Sequence, residues 1–363
     1  MTQKNNLLIA ASGTGGHIFP ALAVSKKVEK YWNIHWLGVQ QRLDSNFVPK
    51  KYKLSTLNIK APTKNLLIVF QYLAILISTF HVIRILKAKK INLVFTTGGF
   101  ISAPTIVAAK ILRIPVIIHE SNLIPGMVTK YFGFLCNYVF TGFKETNSYL
   151  KNCKAIFTGT PLREQFYKTN NLPKWVPKGE GPLLVVMGGS QGARGINEII
   201  YESLEFLLEK KFRIVHIIGD YNRQPLKIIK STNYVQKRFT HQIAALIQNC
   251  DLVISRSGAG TINELIHTEK PSILIPYPNS KNNHQEKNAM ILAKIGGSML
   301  INQYKISKEF FEDTLKRIFK LRLKNGKYRY EILDLMKKNM EKNNEIKSKN
   351  EIKKLINYFL KEF

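Results

Sequence analysis

The sequence predicts an α/β protein built from two doubly wound parallel-sheet domains in tandem. Its 363 residues correspond to two domains, or three, at roughly 150 residues each. Its composition, with 45% hydrophobic and 22% charged residues, is that of an ordinary globular protein. An apolar strand, a glycine-rich turn and a helix follow one another near residues 7–28 and again near residues 183–207. Each copy opens a run of alternating strands and helices, which is typical of parallel sheets.

The elements of the first half follow from its apolar runs. Residues 7–11 predict a buried strand, and after a glycine-rich turn we expect a helix from near Pro20. A helix of small residues is expected from Ser102. Further strands are predicted at residues 35–38, 93–95 and 116–119.

The second half repeats this order after a linker. The Gly and Pro of residues 158–161 indicate the linker, because both residues interrupt regular structure. A strand at 183–187 leads through a turn at 188–193 to a helix from near Arg194. Three more strands are predicted at residues 214–218, 252–254 and 272–275, and a terminal helix is expected in the last 25 residues.

The cysteines and the first apolar run exclude several classes of protein. Cys136, Cys153 and Cys250 have no C-x-x-C spacing, which argues against a disulfide framework and structural zinc and for a reducing compartment. The run at residues 7–11 is too short for a signal peptide, and glycines follow it at once.

The net charge of +31 is concentrated in the first part of the chain. Residues 1–160 contain 20 basic and 4 acidic side chains. Such a balance indicates a phosphate-bearing partner: a nucleic acid, an anionic lipid or a nucleotide. A bias of the whole chain toward Lys, Asn and Ile is the alternative explanation, but it accounts less well for the excess in the first 160 residues.

Residues 66–86 form an unusually apolar stretch with basic neighbours on both sides. A membrane span needs about 20 apolar residues, and this stretch contains Gln71, His81 and Arg84. A span here would also separate the first two strands from their sheet. We therefore expect a helix packed on the first domain, with an outer face that can lie on a bilayer surface.

Residues 12–17 form a glycine-rich turn at the carboxyl end of the first strand, where parallel sheets bind ligands. No Gly-Lys-Ser/Thr follows, which excludes a Walker A loop. The second strand ends in Gln40, Gln41 and Arg42, so the acid that binds a nicotinamide ribose is missing. His17 is either a polar surface residue or a general base, and its place at the mouth of the sheet favours the base.

Glu120 and Asn122 follow the strand predicted at residues 116–119. The carboxylate of Glu120 either acts in the site or caps a neighbouring helix. Its position at the ligand-facing end of the strand favours a role in the site.

Three stretches of the second half resemble parts of a sugar-nucleotide site. Residues 188–192 and 255–264 each follow a strand and open a helix, so their amides can receive a diphosphate. Glu264 either accepts hydrogen bonds from a ribose diol or is simply a carboxylate favoured by the helix dipole. The amide-rich residues 282–288 suit sugar hydroxyls. With five aspartates and no Asp-x-Asp, the carboxylate pair for a metal-bound sugar nucleotide is absent.

Seven stretches, in order along nearly the whole chain, carry a specific resemblance. They are GTGGHIFP (13–20), GGF (98–100), HESN (119–122), GTPLR (159–163), GGSQGA (188–193), SRSGA (255–259) and NNHQEKNA (282–289). Together they resemble the MurG family, the UDP-GlcNAc transferases that add GlcNAc to the undecaprenyl-diphosphate-linked muramoyl-pentapeptide of bacterial peptidoglycan.

The resemblance implies a GT-B fold, in which a cleft separates two Rossmann-like domains. It implies that residues 1–160, completed by a C-terminal helix at about 342–363, form the domain that holds the acceptor and associates with the membrane. Residues 161–341 are then the UDP-GlcNAc-binding domain.

The resemblance also implies roles for individual residues. His17 and Glu120 serve the acceptor as catalytic residues, Gln285 reads the GlcNAc hydroxyls, and Thr240, where Ile is usual, presents its backbone to the uracil. The diphosphate and ribose bind Ser190 and the helix start formed by Ala259, Gly260, Thr261, Ile262, Asn263 and Glu264. The first domain and the linker complete the donor site with Thr14, Gly15, Gly16, Asn122 and Arg163. Phe100 stands where many relatives carry Tyr, and residues 60–64 lack the family's Gly-Leu-Arg-Gly pattern.

The implied reaction is an inverting, metal-independent glycosyl transfer without a cofactor. The muramoyl 4-hydroxyl, deprotonated by His17 or Glu120, attacks the anomeric carbon of UDP-GlcNAc. The expected partners are UDP-GlcNAc, the lipid-linked muramoyl-pentapeptide and an anionic membrane surface at the cytoplasmic face of the inner membrane, and no nucleic acid. The alternatives are a transferase with another lipid acceptor such as diacylglycerol, a UDP-GlcNAc epimerase, and a basic nucleic-acid-binding protein.

Overall fold

Two compact units make up the chain. The computed structural model describes residues 4–13, 15–40, 47–58, 68–189, 192–219, 229–324 and 327–343, and residues 355, 358, 359 and 361. The first unit comprises Met1–Arg163 and Ser348–Phe363, and the second comprises Glu164–Lys347.

The first unit contains a sheet of seven parallel strands in the order β3-β2-β1-β4-β5-β6-β7. The strands are β1 (Asn6–Ala10), β2 (Asn33–Val39), β3 (Lys53–Leu57), β4 (Leu93–Thr96), β5 (Val116–Glu120), β6 (Tyr138–Thr141) and β7 (Ala155–Phe157). The strand order changes direction between β1 and β4, which are direct neighbours in the sheet. In doubly wound sheets this switch point is where the loops part and ligands bind.

Helices cover both faces of this sheet. They are α1 (Gly15–Val28), α2 (Ile68–Ala88), α3 (Ser102–Ile111) and α4 (Met127–Phe132), with 3-10 turns at Gly133–Leu135 and Lys144–Tyr149. Helix α1 begins at Gly15 rather than near Pro20. Pro20 lies inside it, because its missing N–H removes only one bond near the helix start.

The apolar stretch at residues 66–86 lies mainly in α2. Val82 and Leu86 are buried in the cluster under α2 and α3, whereas Leu76, Ile77 and Phe80 are 53%, 50% and 60% exposed. Among the described residues, no helix has both the length and the apolarity required to cross a membrane.

Two side chains from the C-terminal end pack into the first unit. Leu355 and Phe359 are buried in the cluster on the α1 side of the sheet, and the Phe359 ring lies 5.5 Å from that of Phe95. Most of the residues around them lie outside the described part of the chain.

The second unit contains six parallel strands in the order β10-β9-β8-β11-β12-β13. The strands are β8 (Leu183–Met187), β9 (Arg213–Ile217), β10 (Tyr234–Lys237), β11 (Leu252–Ser255), β12 (Ser272–Leu274) and β13 (Ser298–Leu300). The switch point lies between β8 and β11. A separate antiparallel pair is formed by β14 (Leu321–Lys324) and β15 (Lys327–Tyr330).

The helices of the second unit follow its strands. They are α5 (Arg194–Glu202), α6 (Leu204–Glu209), α7 (Ile243–Asn249), α8 (Ala259–Thr268), α9 (His284–Lys294), α10 (Lys308–Ile318) and α11 (Glu331–Lys342), with 3-10 turns at Glu164–Tyr167, Lys281–Asn283 and Gln303–Lys305. The helix expected from Arg194 divides at Ser203 into α5 and α6. The two parallel-sheet units confirm the predicted fold class. The six strands of the second sheet follow the same order as the first six of the first sheet, which has β7 as an additional edge strand.

Candidate active site

His17 lies at the switch point of the first unit, in the first turn of α1. Its Nδ1 is 2.6 Å from the carbonyl oxygen of Thr97, the residue directly after β4. Because a carbonyl only accepts, Nδ1 carries the proton, and Nε2 of the neutral ring is left as an acceptor. The Thr97 hydroxyl donates in return to the His17 carbonyl at 2.9 Å. The imidazole is therefore held in one tautomer, in which Nε2 is the basic nitrogen.

Two glycines lie against the His17 ring. Gly98 and Gly99 have φ angles of +86° and +80°, a region that side-chain-bearing residues rarely adopt. A Cβ on Gly98 would still lie 3.5 Å from Cε1 of His17, an ordinary contact. The backbone turn, rather than lack of space, requires glycine at these positions.

Glu120 ends β5 and is buried with a full set of donors. Its Oε1 accepts from the backbone N–H and the side-chain amide of Asn122, both at 3.0 Å. Its Oε2 accepts from the Gly126 N–H at 2.8 Å and from the Thr129 hydroxyl at 2.7 Å. Gly126 is the residue that precedes α4. The carboxylate thus holds residues 120–129 together and positions Asn122.

His119, next to Glu120, is also committed to the fold. It is fully buried, and its Nε2 donates to the Gly159 carbonyl at 2.9 Å. Burial lowers the pKa of His119 and so keeps it neutral. The side chain anchors the residues that lead out of the first unit.

Arg163 lies beside the start of α1. Its guanidinium carbon is 4.7 Å from the ring centroid of Phe19. The same ring lies so close to Gly15 that a Cβ there would be 2.7 Å from it. Arg163 thereby places a positive charge near the helix terminus that carries Gly15 and Gly16. Thr14 lies outside the described residues.

Glycine-bordered space marks the switch point of the second unit. Gly189 follows β8, and Gly258 and Gly260 lie at the start of α8, after β11. A Cβ on any of the three would meet no atom within 4 Å among the described residues. The first amides of α8 have no side-chain cap, which leaves them to a ligand such as a phosphate. Ser190 lies outside the described residues.

The predicted residues of α8 differ in what their side chains can do. The amide of Asn263 donates to the Ala259 carbonyl at 2.8 Å, and Ile262 is buried in the core. Glu264 is 9% exposed. The side chains of Ile262 and Asn263 are therefore used within the fold. Ala259, Gly260 and Thr261 form the first turn of α8.

Gln285 is held by hydrogen bonds to two other segments of the second unit. Its Oε1 accepts from the Tyr277 N–H at 2.9 Å, and its carbonyl accepts from the Ser257 hydroxyl at 2.8 Å. The side-chain amide therefore offers its N–H groups to a ligand. Thr240 lies in the turn after β10, and its hydroxyl accepts from the Gln242 N–H at 3.1 Å.

Arg256 is a structural member of the site to which sequence reasoning assigned no role. It donates to the carbonyls of Ile275 and Pro276 at 3.0 and 2.9 Å and to Gln303 at 2.5 Å. Burial lowers its pKa to about 10. Because its donors serve the segment before Tyr277, the guanidinium supports the backbone that holds Gln285. Its position within the motif SRSGA was the one feature of the sequence that could have indicated this role.

Among the residues that the structure describes, no three or more His, Cys, Asp or Glu side chains are arranged to hold a metal ion.

Known proteins match this chain along its length. Residues 7–141 match the glycosyltransferase family 28 N-terminal domain, and residues 183–356 match the glycosyltransferase family 28 C-terminal domain. A relative from Prochlorococcus marinus (strain MIT 9312) is 78% identical over 363 residues, which is 100% of both chains. Another from strain MIT 9211 is 44% identical over 93% of this chain and 94% of its own. Both are called UDP-N-acetylglucosamine--N-acetylmuramyl-(pentapeptide) pyrophosphoryl-undecaprenol N-acetylglucosamine transferase.

Among solved structures, that of Acinetobacter baumannii MurG has a TM-score of 0.71 at 23% identity, with 98% of this chain and 99% of that chain covered. At that identity the likeness concerns the fold. Fold and sequence relatives together define a glycosyltransferase of the GT-B class. The chain belongs to glycosyltransferase family 28 and, within it, to the MurG family, which confirms the resemblance seen in its motifs.

Proposed function

We propose that the protein transfers GlcNAc from UDP-GlcNAc to the 4-hydroxyl of undecaprenyl-diphosphate-linked MurNAc-pentapeptide, with inversion to a β linkage. One observation carries the proposal: over its full length the chain is 78% identical to a transferase whose name states this donor and this acceptor. The geometry of each unit supports one half of that chemistry.

In the first unit, His17 is the general base. Its Nε2 is the acceptor nitrogen of a ring whose other nitrogen is bound to the Thr97 carbonyl. A base must have a lone pair to receive the hydroxyl proton. Glu120 already accepts four hydrogen bonds, so its role is to position Asn122 rather than to take the proton. Asn122, Arg163, Gly15, Gly16 and Thr14 contribute to donor binding.

In the second unit, the start of α8 and residues 188–192, including Ser190, receive the diphosphate. Backbone amides there stabilise the charge that develops as UDP leaves. Glu264 accepts from the ribose diol, and the Gln285 amide donates to GlcNAc hydroxyls. The backbone of Phe239 and Thr240 faces the uracil, while the Thr240 hydroxyl accepts from the Gln242 N–H within the turn.

The protein works as a peripheral protein at the cytoplasmic face of the inner membrane. The exposed apolar side chains of α2 (Leu76, Ile77 and Phe80) form a surface that we call the α2 patch. Arg84 and Lys87, on the same helix, are exposed and can lie on lipid phosphates. A lipid-linked acceptor requires such a location.

Incorporation of radiolabelled GlcNAc tests the function. With the purified chain and UDP-[14C]GlcNAc, we expect label in polyprenyl-diphosphate-linked muramoyl-pentapeptide and none in diacylglycerol. Label in diacylglycerol alone would assign a different acceptor. Conversion of free UDP-GlcNAc to an epimer without transfer would contradict the proposal altogether.

A further inference from the structure

In the second unit, one side chain from another segment contacts both ends of the turn at residues 238–242. Trp175 belongs to the segment that precedes β8. Its indole N–H donates to Oε1 of Gln242 at 2.8 Å. The Nζ atom of Lys237 lies 4.4 Å from the centroid of its ring, an ammonium–π contact. Lys237 is the last residue of β10 and Gln242 directly precedes α7, so Trp175 contacts the turn where it begins and where it ends.

Inside the turn, the remaining groups are fixed to one another. The Thr240 hydroxyl accepts from the Gln242 N–H at 3.1 Å, and the Phe239 and His241 rings meet edge to face at 4.9 Å. The Arg238 carbonyl accepts from the Gly219 N–H at 3.1 Å. These contacts fix the conformation of the turn, in which the proposed function directs the peptide N–H and C=O of residue 240 at the base.

Trp175 is itself tied to the sheet. Val176, next to it, is buried, and Arg213 at the start of β9 donates to the carbonyls of Gly181 and Pro177 at 2.6 and 3.4 Å. The residues that follow Trp175 are therefore anchored to β9, the neighbour of β10 in the sheet.

We propose that Trp175 and Gln242 are positioning residues that set the enzyme's selectivity for uracil. This inference rests on the proposed function, in which the backbone at residues 239–240 faces the base. A peptide N–H and C=O pair can match the O4 acceptor and the N3–H donor of uracil, whereas cytosine has a donor amino group and an acceptor nitrogen there. Holding the turn in one conformation keeps that pair aligned, so uracil is bound and cytosine is rejected.

The test compares UDP-GlcNAc kinetics and the binding of UDP and CDP in four variants. Trp175→Phe removes the indole N–H but keeps a ring beside Lys237, and Gln242→Ala removes the acceptor. In both we expect the KM for UDP-GlcNAc and the Kd of UDP to rise about fivefold, the usual worth of one hydrogen bond. The preference for UDP over CDP should narrow, with kcat and the KM for the acceptor unchanged.

Gln242→Glu keeps an oxygen that can accept from Trp175, so it should behave as the parent. Tyr201→Phe is the matched control, because it also removes one hydrogen-bond donor, which Tyr201 directs to Gln236 on β10 itself at 3.0 Å. It should leave the UDP and CDP affinities unchanged. A purely structural role would instead lower the melting temperature and kcat together.

The inference is overturned if Trp175→Phe transfers GlcNAc with parental UDP affinity and UDP/CDP preference. It is also overturned if Gln242→Glu is as weak as Gln242→Ala. The parent enzyme separates this failure from that of the proposed function: if it neither binds UDP-GlcNAc nor transfers GlcNAc, the function is wrong, whatever the variants do.

Discussion

At the scale of single residues, two candidates for one role differ in what their atoms are free to do. His17 and Glu120 both lie at the carboxyl edge of the first sheet. The ring of His17 is oriented by one carbonyl and keeps a basic nitrogen, whereas both oxygens of Glu120 are engaged by donors from a short loop. Hydrogen-bond partners, rather than position, distinguish a base from a positioning carboxylate.

Replacing His17 by Ala should therefore reduce kcat roughly 100-fold or more, the usual contribution of a general base. The Kd for UDP-GlcNAc should stay unchanged, since the donor site of the second unit is intact. Single-turnover rates and calorimetric titration measure the two quantities. A near-parental rate would remove His17 from the chemistry.

Replacing Glu120 by Gln should act mainly on stability. An amide N–H₂ in place of one oxygen would face a donor, and we expect the free energy of unfolding to fall by about 1–3 kcal/mol. The loss of kcat should be smaller than for His17→Ala. Urea denaturation measures the first effect, with Glu145→Gln as an exposed control. Full stability combined with complete loss of turnover would instead identify Glu120 as the base.

At the scale of elements, buried polar contacts join neighbouring strands and helices. His216 on β9 is buried, and its Nε2 donates to Asn197 of α5 at 3.0 Å while its Nδ1 accepts from the Tyr234 hydroxyl at 2.9 Å. The contact through Nδ1 requires the neutral ring, because only an unprotonated nitrogen accepts, and burial lowers the pKa of His216 from 6.5 to about 3. Helix α5, which follows the glycine-rich loop, is thus joined to β9 through a neutral histidine.

Stability of the second unit should consequently decline in acid. Above pH 6.5 His216 is neutral in the folded and unfolded states and contributes no pH dependence. As the pH falls below 6.5, His216 binds a proton in the unfolded chain but stays neutral in the folded chain. The free energy of unfolding therefore falls by about 1.4 kcal/mol per pH unit until the pKa of the folded state is reached. Urea denaturation at pH 7, 6 and 5 should show this slope, and His216→Gln, which can keep both hydrogen bonds, should flatten it. Equal slopes would contradict the assignment.

The α2 patch should carry binding to anionic vesicles. Phe80→Ser removes an exposed ring whose transfer into lipid is worth about 1.5–3 kcal/mol, so we expect roughly tenfold weaker binding or more. Changing Lys87, Lys89 and Lys90 to Gln should weaken binding to anionic but not to neutral vesicles. Phe310→Ser, on exposed α10, is the matched control. Cosedimentation with vesicles measures the binding of all three variants. Unchanged binding of the lysine variant would mean that the excess of basic residues reflects biased amino-acid usage rather than membrane binding.

At the scale of the whole molecule, charge and chemistry are divided between the units. The excess of basic residues in positions 1–160 coincides with the unit that carries the α2 patch. An anionic membrane and a lipid diphosphate account for that placement better than a nucleic acid. The second unit has a helix start without a side-chain cap at α8, where the proposed function places the diphosphate of the donor.

In the proposed donor site, backbone amides rather than an Asp-x-Asp pair receive the diphosphate, so we expect transfer to continue when divalent cations are chelated. GlcNAc incorporation in excess EDTA should equal that in buffer, after correction for ionic strength. A loss of activity that Mg²⁺ or Mn²⁺ restores would show that a metal neutralises the leaving group.

Local patterns in the sequence determined the architecture of this protein. Apolar runs such as residues 183–187 and glycines at strand ends signal strands and turns, so both Rossmann-like units could be predicted. The family was recognised from the resemblance of seven short motifs. Short-range signals were weaker at boundaries: α1 begins before Pro20, and one predicted helix is two.

Only the tertiary structure decided which groups meet. His17 and Thr97 are 80 positions apart, and Trp175 and Gln242 are 67 apart. For Glu120 the sequence predicted either a helix cap or a role in the site, and only the folded chain shows the four donors around its two oxygens. Hydrogen bonds depend on distances and directions that the folded chain alone creates, whereas periodicity and turn chemistry are properties of consecutive residues.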